Sequence, residues 1–285
     1  MRYEAPTTIN AAVKLLAGKA RTPRVLAGGT DLLVQLRTDR IAPDLVVDVK
    51  RIASLRTITS KGGGFRIGAA VASAELGEHK ALKKAWPGVV EAATLIGSSQ
   101  IQARATIAGN LCNASPAADS VPAMIAAGAV VTVQGPNGRR EMKVEEVPAG
   151  PGRTNLKPGE ILVSFKLPPR PPGSGDAYLR MIPRTEMDIA VVGLGVNLTI
   201  KDGVCTAARV GLGAVAPTAL LVEPAAKALI GTRLDAAALE KAAEACRAAC
   251  RPIDDKRGTV AYRIKTAGVL LKRTAAIAAK RATGK

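Results

Sequence analysis

The chain has 285 residues, 47% hydrophobic and 22% charged, a balance that excludes a disordered polypeptide and leaves room for two or three compact domains. Lys and Arg number 41 against 23 Asp and Glu, a formal net charge of +18, so nucleic acid or an anionic surface must be weighed as a partner. Aromatic residues are only 2% and the basic ones are dispersed, which leaves few rings for stacking bases and makes acidic partner subunits or an anionic cofactor an equal reason for the charge.

The opening Met1-Arg2-Tyr3-Glu4-Ala5-Pro6 has no apolar signal core, and no stretch has the length and purity of a membrane span. A cytoplasmic chain that is not an integral membrane protein is expected. Residues 7–17 place Ala11, Leu15 and Leu16 at helical spacing behind a Thr cap, and a short strand over 24–26 runs into the glycine turn of AGGTDLL. The β-branched run 45–49 reads as a strand, as does 65–69, and the first α/β unit is expected to end near residue 55. From 72 to 127 the pattern is mostly helical, interrupted at 97–99 and by GNLCNASPAAD at 109–119, which reads as a loop of the kind that carries ligand contacts.

Strands follow at 129–134 and 160–167, and the proline-rich 168–173 is the linker candidate. Beyond it come an apolar run over 189–200, the hairpin signal Asp202-Gly203 and a strand over 204–214. Asp235 then caps ALEKAAEACRAAC, and a last amphipathic helix runs from Val260 to about residue 279. This reading divides the chain into units over 1–55, 56–174 and 175–285.

The single histidine, His79, stands among polar neighbours and reads as exposed or helix-capping, so neither a Ser-His-Asp triad nor a His-rich metal centre is expected. No carboxylate pair stands out as an acid-base dyad, so any difficult chemistry belongs to a cofactor rather than to catalytic side chains. Cys112, Cys205, Cys246 and Cys250 lack metal or redox spacing and read as free thiols. Cys246 and Cys250 share a helical face with Leu239 and Ala243, and Cys112 reads as a small packing residue.

Two loops suit a long dinucleotide. In AGGTDLL, Gly28 and Gly29 after a strand let successive N–H groups converge on an anion, with the Thr30 hydroxyl as a further donor; a plain turn serves equally. It is neither a Walker loop nor GxGxxG. In RATIAGNLCNASPAAD, Thr106, Gly109, Asn110 and Ser115 gather small polar groups, and Asp119 is either an acceptor for a ribose hydroxyl or adenine amine, or a helix N-cap.

AGGTDLL at 27–33 followed by ATIAGNLCNASPAAD at 105–119 resembles the paired FAD-binding motifs of molybdenum hydroxylase flavoprotein subunits, of the xanthine dehydrogenase and carbon monoxide dehydrogenase type. AYLRMIPRTEMDIAVVGLGV at 177–196 and AYRIKTAGVLLKR at 261–273 extend the resemblance over nearly the whole chain. It implies an α+β fold: a two-subdomain FAD-binding fold of the vanillyl-alcohol-oxidase or PCMH kind, then a C-terminal domain of antiparallel strands and helices. FAD would lie extended between the first two units with its flavin ring facing the third.

The resemblance further implies that Ala27, Gly28, Gly29, Thr30 and Asp31, with Leu32 beside them, form one pyrophosphate loop, and that Thr106, Ile107, Ala108, Gly109 and Asn110 form the other. Asp119 would hold the adenosine end, with Ile96 where relatives stack a ring on adenine. Leu162 and Arg180 would meet the flavin, a surface ion pair being the alternative for Arg180. Ala108 stands where the family commonly has Gly. The implied partners are a large molybdopterin subunit, which selects the substrate, and a small subunit with 2Fe-2S clusters, in a dimer of heterotrimers. Electrons would pass from molybdenum through the clusters to FAD and an external acceptor. An assembly subunit without FAD, suggested by Ala108, and a basic nucleic-acid-binding module are the rival readings.

Overall fold

The computed structural model describes residues 1–284. Its first sheet is formed by β1 (Arg2–Glu4), β2 (Pro23–Leu26) and β3 (Leu45–Asp48), joined by α1 (Ile9–Leu16) and α2 (Leu32–Arg37). All pairings are parallel, in the order β1-β3-β2, with Val47 paired to Val25 on one side and Glu4 on the other. Thr8 caps α1 by accepting from the Ala11 N–H, and Ala12, Val13 and Leu16 then pack with Leu45 and Val47. Parallel order brings the chain out of β2 and β3 at the same edge, where the segments 27–28 and 49–50 emerge; such an edge is where open α/β sheets hold ligands.

The second sheet is antiparallel. It contains β4 (Ile58–Lys61) and β5 (Gly64–Gly68), and after α3 (Ser73–Glu78), α4 (Lys80–Ala85), α5 (Pro87–Ala93), α6 (Ser99–Gln102), α7 (Ile107–Cys112) and α8 (Ser120–Ala126) come β6 (Val130–Gly135) and β7 (Gly138–Lys143). The small pair β8 (Pro148–Gly150) and β9 (Arg153–Thr154) precedes β10 (Ile161–Leu167), which inserts centrally to give the order β4-β5-β10-β6-β7. The helices bury Leu82, Trp86, Ile107, Leu111, Met124 and Ile125 against Ile67, Val131 and Phe165 of the sheet. His79 is the N-cap of α4, its Nδ1 accepting from the Leu82 N–H at 3.1 Å. The expectation of a loop over 109–119 is corrected. Its first part is α7, because Thr106 caps that helix and Ile107, Ala108 and Leu111 all face the core.

The third sheet, order β11-β12-β13-β14, comprises β11 (Ser174–Met181), β12 (Val192–Lys201), β13 (Val204–Gly213) and β14 (Leu220–Leu221). Asp202 and Gly203 both have positive φ, 51° and 78°, which matches the twist of the β12–β13 hairpin. The helices α9 (Glu223–Leu229), α10 (Ala236–Ala249) and α11 (Val260–Thr283) follow. Asp235 caps α10 by accepting from the Ala238 N–H at 2.8 Å, and Cys246 and Cys250 are buried with Ala243, Ala267 and Leu271. Burial pushes both thiols up, to about 12 for Cys246 and about 11 for Cys250.

The apolar side of this sheet packs on α9 and α11, which α10 in turn covers, while its other side receives α8. A Cβ at Gly195, Gly211 or Gly213 would strike Pro122 or Ala123, so small residues on β12 and β13 let α8 approach. The segment 168–173 is not a free linker. Arg170 lies 4.4 Å over the Trp86 ring, donates to the Ala85 carbonyl, and pairs with Asp176 at 2.7 Å, pinning the third sheet to α4 and α5. No helix among the described residues is long and apolar enough to cross a membrane.

Candidate cofactor site

Two turns meet at the open edge of the parallel sheet. The first follows β2: Gly29 has φ +80°, and the amides of Gly29, Thr30 and Asp31 donate to no group among the described residues. The second precedes α7. Thr106, buried, accepts from the Gly109 N–H at 2.9 Å, while the amides of Ile107 and Ala108 donate to nothing among the described residues. Unbonded successive N–H groups of this kind form an anion cradle.

The turns are locked together by close packing. A Cβ on Gly28 would overlap the Arg104 carbonyl and reach the Cα of Ala105, so the first turn lies flat on the residues just ahead of Thr106. Asn113 ties the same two segments, its Nδ2 donating to Asp31 Oδ1 at 3.3 Å and its Oδ1 accepting from Gln35 Nε2 at 3.4 Å. Beside the contact opens a cavity of about 390 Å³ lined by Tyr3, Gly28, Asp48, Lys50, Arg104 and Thr106 among others. Burial pushes the Asp48 carboxyl up, but hydrogen bonds from Lys50 at 2.8 Å and Tyr3 at 2.6 Å outweigh it and leave it below the usual carboxylate range.

Further along, Asp119 at the start of α8 meets Arg180 of β11, with Arg180 Nη1 2.9 Å from Asp119 Oδ1 and the side chains only 12% and 5% exposed. Desolvation lifts the Asp119 carboxyl to about 6, although Arg180 and the nearby Tyr178 phenol both draw it down. This buried pair joins the second sheet's helices to the third sheet.

Residues 1–170 match the family described as the FAD binding domain in molybdopterin dehydrogenase, and residues 177–278 match the CO dehydrogenase flavoprotein C-terminal domain. The chain belongs to this flavoprotein family. It is 36% identical over 280 residues to the carbon monoxide dehydrogenase medium chain of Afipia carboxidovorans, covering 98% of this chain and 97% of that one. It is 30% identical to a putative xanthine dehydrogenase FAD-binding subunit of Escherichia coli K12, covering 99% and 97%. A crystal structure of a Cu,Mo-CO dehydrogenase aligns with TM-score 0.95 at 36% identity, over 99% of this chain and 98% of that chain. The chain is therefore an FAD-binding oxidoreductase subunit of the molybdenum hydroxylase family, with the expected α+β architecture.

As a flavoprotein of this family, the chain brings some expected site residues together and separates the roles of others. The turns at 27–31 and 106–110 are adjacent, and their free amides fit a pyrophosphate. Asn110 differs from expectation, because its Oδ1 already accepts from both N–H and Oγ of Ser120 and so fixes the start of α8. The Ala108 methyl is buried in the apolar core with Ile107 and Leu111, so its extra carbon is not on the cradle side. Leu162 is buried as well, which leaves only its backbone for a ligand, next to the irregular pairing of β10 between Leu162 and Ser164. Ile96 is half-buried just before Gly97, which has φ +64°.

The ion pair sets Asp119 and Arg180 in a common place. The carboxylate of Asp119 and the guanidinium of Arg180 touch, so the two residues belong to one part of the site rather than to opposite ends of an extended dinucleotide. Arg180 is not a surface ion pair, and Asp119 makes no side-chain cap bond at the start of α8. The residues missed from sequence are Tyr178, Asn113 and Gln35. For Tyr178 a signal existed: Asp176, Tyr178 and Arg180 alternate along one strand, three polar residues on one face, and all three are turned into the protein.

Proposed function

We propose that the chain is the flavin stage of a heteromeric molybdenum hydroxylase, receiving electrons from iron–sulfur clusters on a partner and passing them to an external acceptor. In this reading the units 1–55 and 56–174 form the two walls of the FAD cleft and 175–285 covers its flavin end. The amides of Gly29, Thr30, Asp31, Ile107 and Ala108 and the Thr106 hydroxyl bind the pyrophosphate, with Ala27, Gly28, Leu32, Gly109 and Asn110 shaping the two turns. The adenosine half lies toward Ile96. The backbone of Leu162 and the pair Asp119 and Arg180 face the flavin half.

FAD supplies the redox chemistry when bound, and the chain's residues supply binding, orientation and charge. Arg180 brings a cation to a buried position, where it favours added negative charge more than it would in water, while Asp119 tempers that field. The observation that carries the reading is the contact of Gly28 with the Arg104 backbone, which sets two turns of unbonded amides side by side at the sheet edge.

Relatives named as a medium chain and as a complex subunit support partner subunits, here a large molybdopterin subunit and a small 2Fe-2S subunit in a dimer of heterotrimers in the cytoplasm. Neither group needs a place on this chain, whose described residues hold no cluster of three or more potential metal ligands. The formal charge of +18 suits docking on acidic subunit surfaces. Reconstitution tests the reading. Substrate-dependent dye reduction is expected only when both partner subunits are added, and to vanish when FAD is stripped from this chain. Turnover of an aldehyde, purine or carbon monoxide by this polypeptide alone, free of molybdenum and iron, contradicts it.

A further inference from the structure

Along β11 the side chains alternate, so Ala177 enters the core against α11 while Asp176, Tyr178 and Arg180 face α5 and α8. Tyr178 packs with Ala92 and Ala123 and is 2% exposed. Its hydroxyl lies over the backbone of Gly193, where any Cβ would crowd it at 2.6 Å, so the neighbouring strand leaves room for the phenol tip. Yet Tyr178 Oη, although near enough to Asp119 to draw its carboxyl down, makes no well-aligned hydrogen bond among the described residues, and Asp119 Oδ1 makes none beyond its ion pair with Arg180. Burying a phenol without a partner is costly, and Phe would fill the same space without that cost.

The phenol and the carboxyl are neighbours. Burial first, and then the Asp119 charge, keep the phenol far above its ordinary range, so Tyr178 stays a neutral donor in need of an acceptor. We infer that Tyr178 is a positioning residue of the cofactor site: with FAD bound, its hydroxyl donates to the Asp119 carboxylate and, together with Arg180, fixes the orientation in which that carboxylate accepts a polar hydrogen of the cofactor. The inference rests on the reading that Asp119 and Arg180 face the flavin half. Tyr178 itself need not touch FAD.

Tyr178→Phe keeps the ring and its packing, so a tyrosine that only fills space predicts unchanged FAD affinity. The positioning role predicts an FAD Kd raised by about fivefold to tenfold, with the thermal midpoint of the FAD-free protein no lower than wild type. In an Asp119→Asn background the same substitution should then change Kd by less than about twofold. An unchanged Kd, or an equal loss in both backgrounds, overturns the inference. If Asp119→Asn alone leaves FAD affinity intact, the placement of Asp119 fails too; if it weakens binding and Tyr178→Phe does not, only the inference fails. A measurement on the wild-type chain guards against misfolded variants. With three tyrosines in the sequence, ¹³Cζ-tyrosine NMR resolves each one, assigned through Tyr3→Phe and Tyr262→Phe. The Tyr178 resonance should shift when FAD saturates the protein, and an unmoved resonance refutes the role.

Discussion

Replacing Arg180 with Met removes the cation while keeping most of the side-chain volume, and its effect should depend on pH in a defined direction. In the wild-type chain the Asp119 carboxyl is lifted from 3.8 to about 6. A carboxyl whose folded value is raised opposes folding once it ionises. That cost is absent below about pH 4, complete above about pH 6, and amounts to about 3 kcal/mol from the linkage of roughly 1.4 kcal/mol per unit. Without Arg180 the carboxyl loses its main source of stabilisation and moves higher still, so near neutrality the variant must fold with a buried lone charge or take up a proton. The variant is expected to be less stable than wild type by about 3 kcal/mol at pH 8, as for other buried pairs broken on one side. At pH 5.5 the Asp119 carboxyl is mostly neutral in both proteins, and the gap should shrink to about 1 kcal/mol or less. Urea unfolding of the FAD-free protein, followed by circular dichroism at both pH values, measures it. A gap of equal size at both, or none at pH 8, refutes the argument that Arg180 neutralises a buried Asp119.

The remaining predictions concern the loops and the pinned segment between the second and third sheets. Gly28→Ala should lower FAD affinity by more than about tenfold, because the new Cβ meets the Arg104 backbone and parts the two turns, whereas Gly109→Ala, whose Cβ meets only Thr106 Oγ1 at 3.1 Å, should cost much less; flavin fluorescence titration compares them. Thr106→Val removes the acceptor for the Gly109 N–H and should destabilise the chain by about 1 kcal/mol, while Thr106→Ser should restore both stability and FAD binding in the same assays. Arg170→Ala strands Asp176, whose carboxyl burial already holds up, and should cost about 3 kcal/mol and split the calorimetric transition in two; a single unshifted transition contradicts a pinned linker. FAD should bind at least about a hundredfold more tightly than FMN, because FMN lacks the pyrophosphate that both turns address, and equal affinities in a direct titration contradict the loop assignment.

Much of the fold was legible in the sequence wherever a local signal decides the element. The Thr8 and Asp235 caps, the Asp202-Gly203 hairpin and the β-branched run at 45–49, of which 45–48 form β3, each appear where their chemistry places them. Short elements set by tertiary contact were not. The helix α7 begins among Gly and Asn residues that favour a loop, and it exists because Thr106 caps it and three apolar side chains find the core. The strand β11 was hidden by the glycines and polar residues at its start, although its alternation of Asp176, Tyr178 and Arg180 marks one buried polar face.

The candidate site was legible as two motifs but not as a geometry. Nothing in the spacing of Asp119 and Arg180 shows that they touch, and their contact puts the two residues in one part of the proposed site. The Ala108 departure likewise looked like an intrusion into a phosphate loop. Its methyl instead faces the core, since the first turn of α7 directs that position inward.

On the proposed function, electrons from the partner subunits reach this chain's FAD. The most direct test is stopped-flow absorbance of the flavin in the assembled complex, mixed anaerobically with the complex's reducing substrate. The flavin is expected to bleach in step with turnover in the complex, and to stay oxidised when this FAD-loaded chain is mixed with substrate alone. A flavin that remains oxidised in the complex while the partner iron–sulfur clusters are reduced would contradict it.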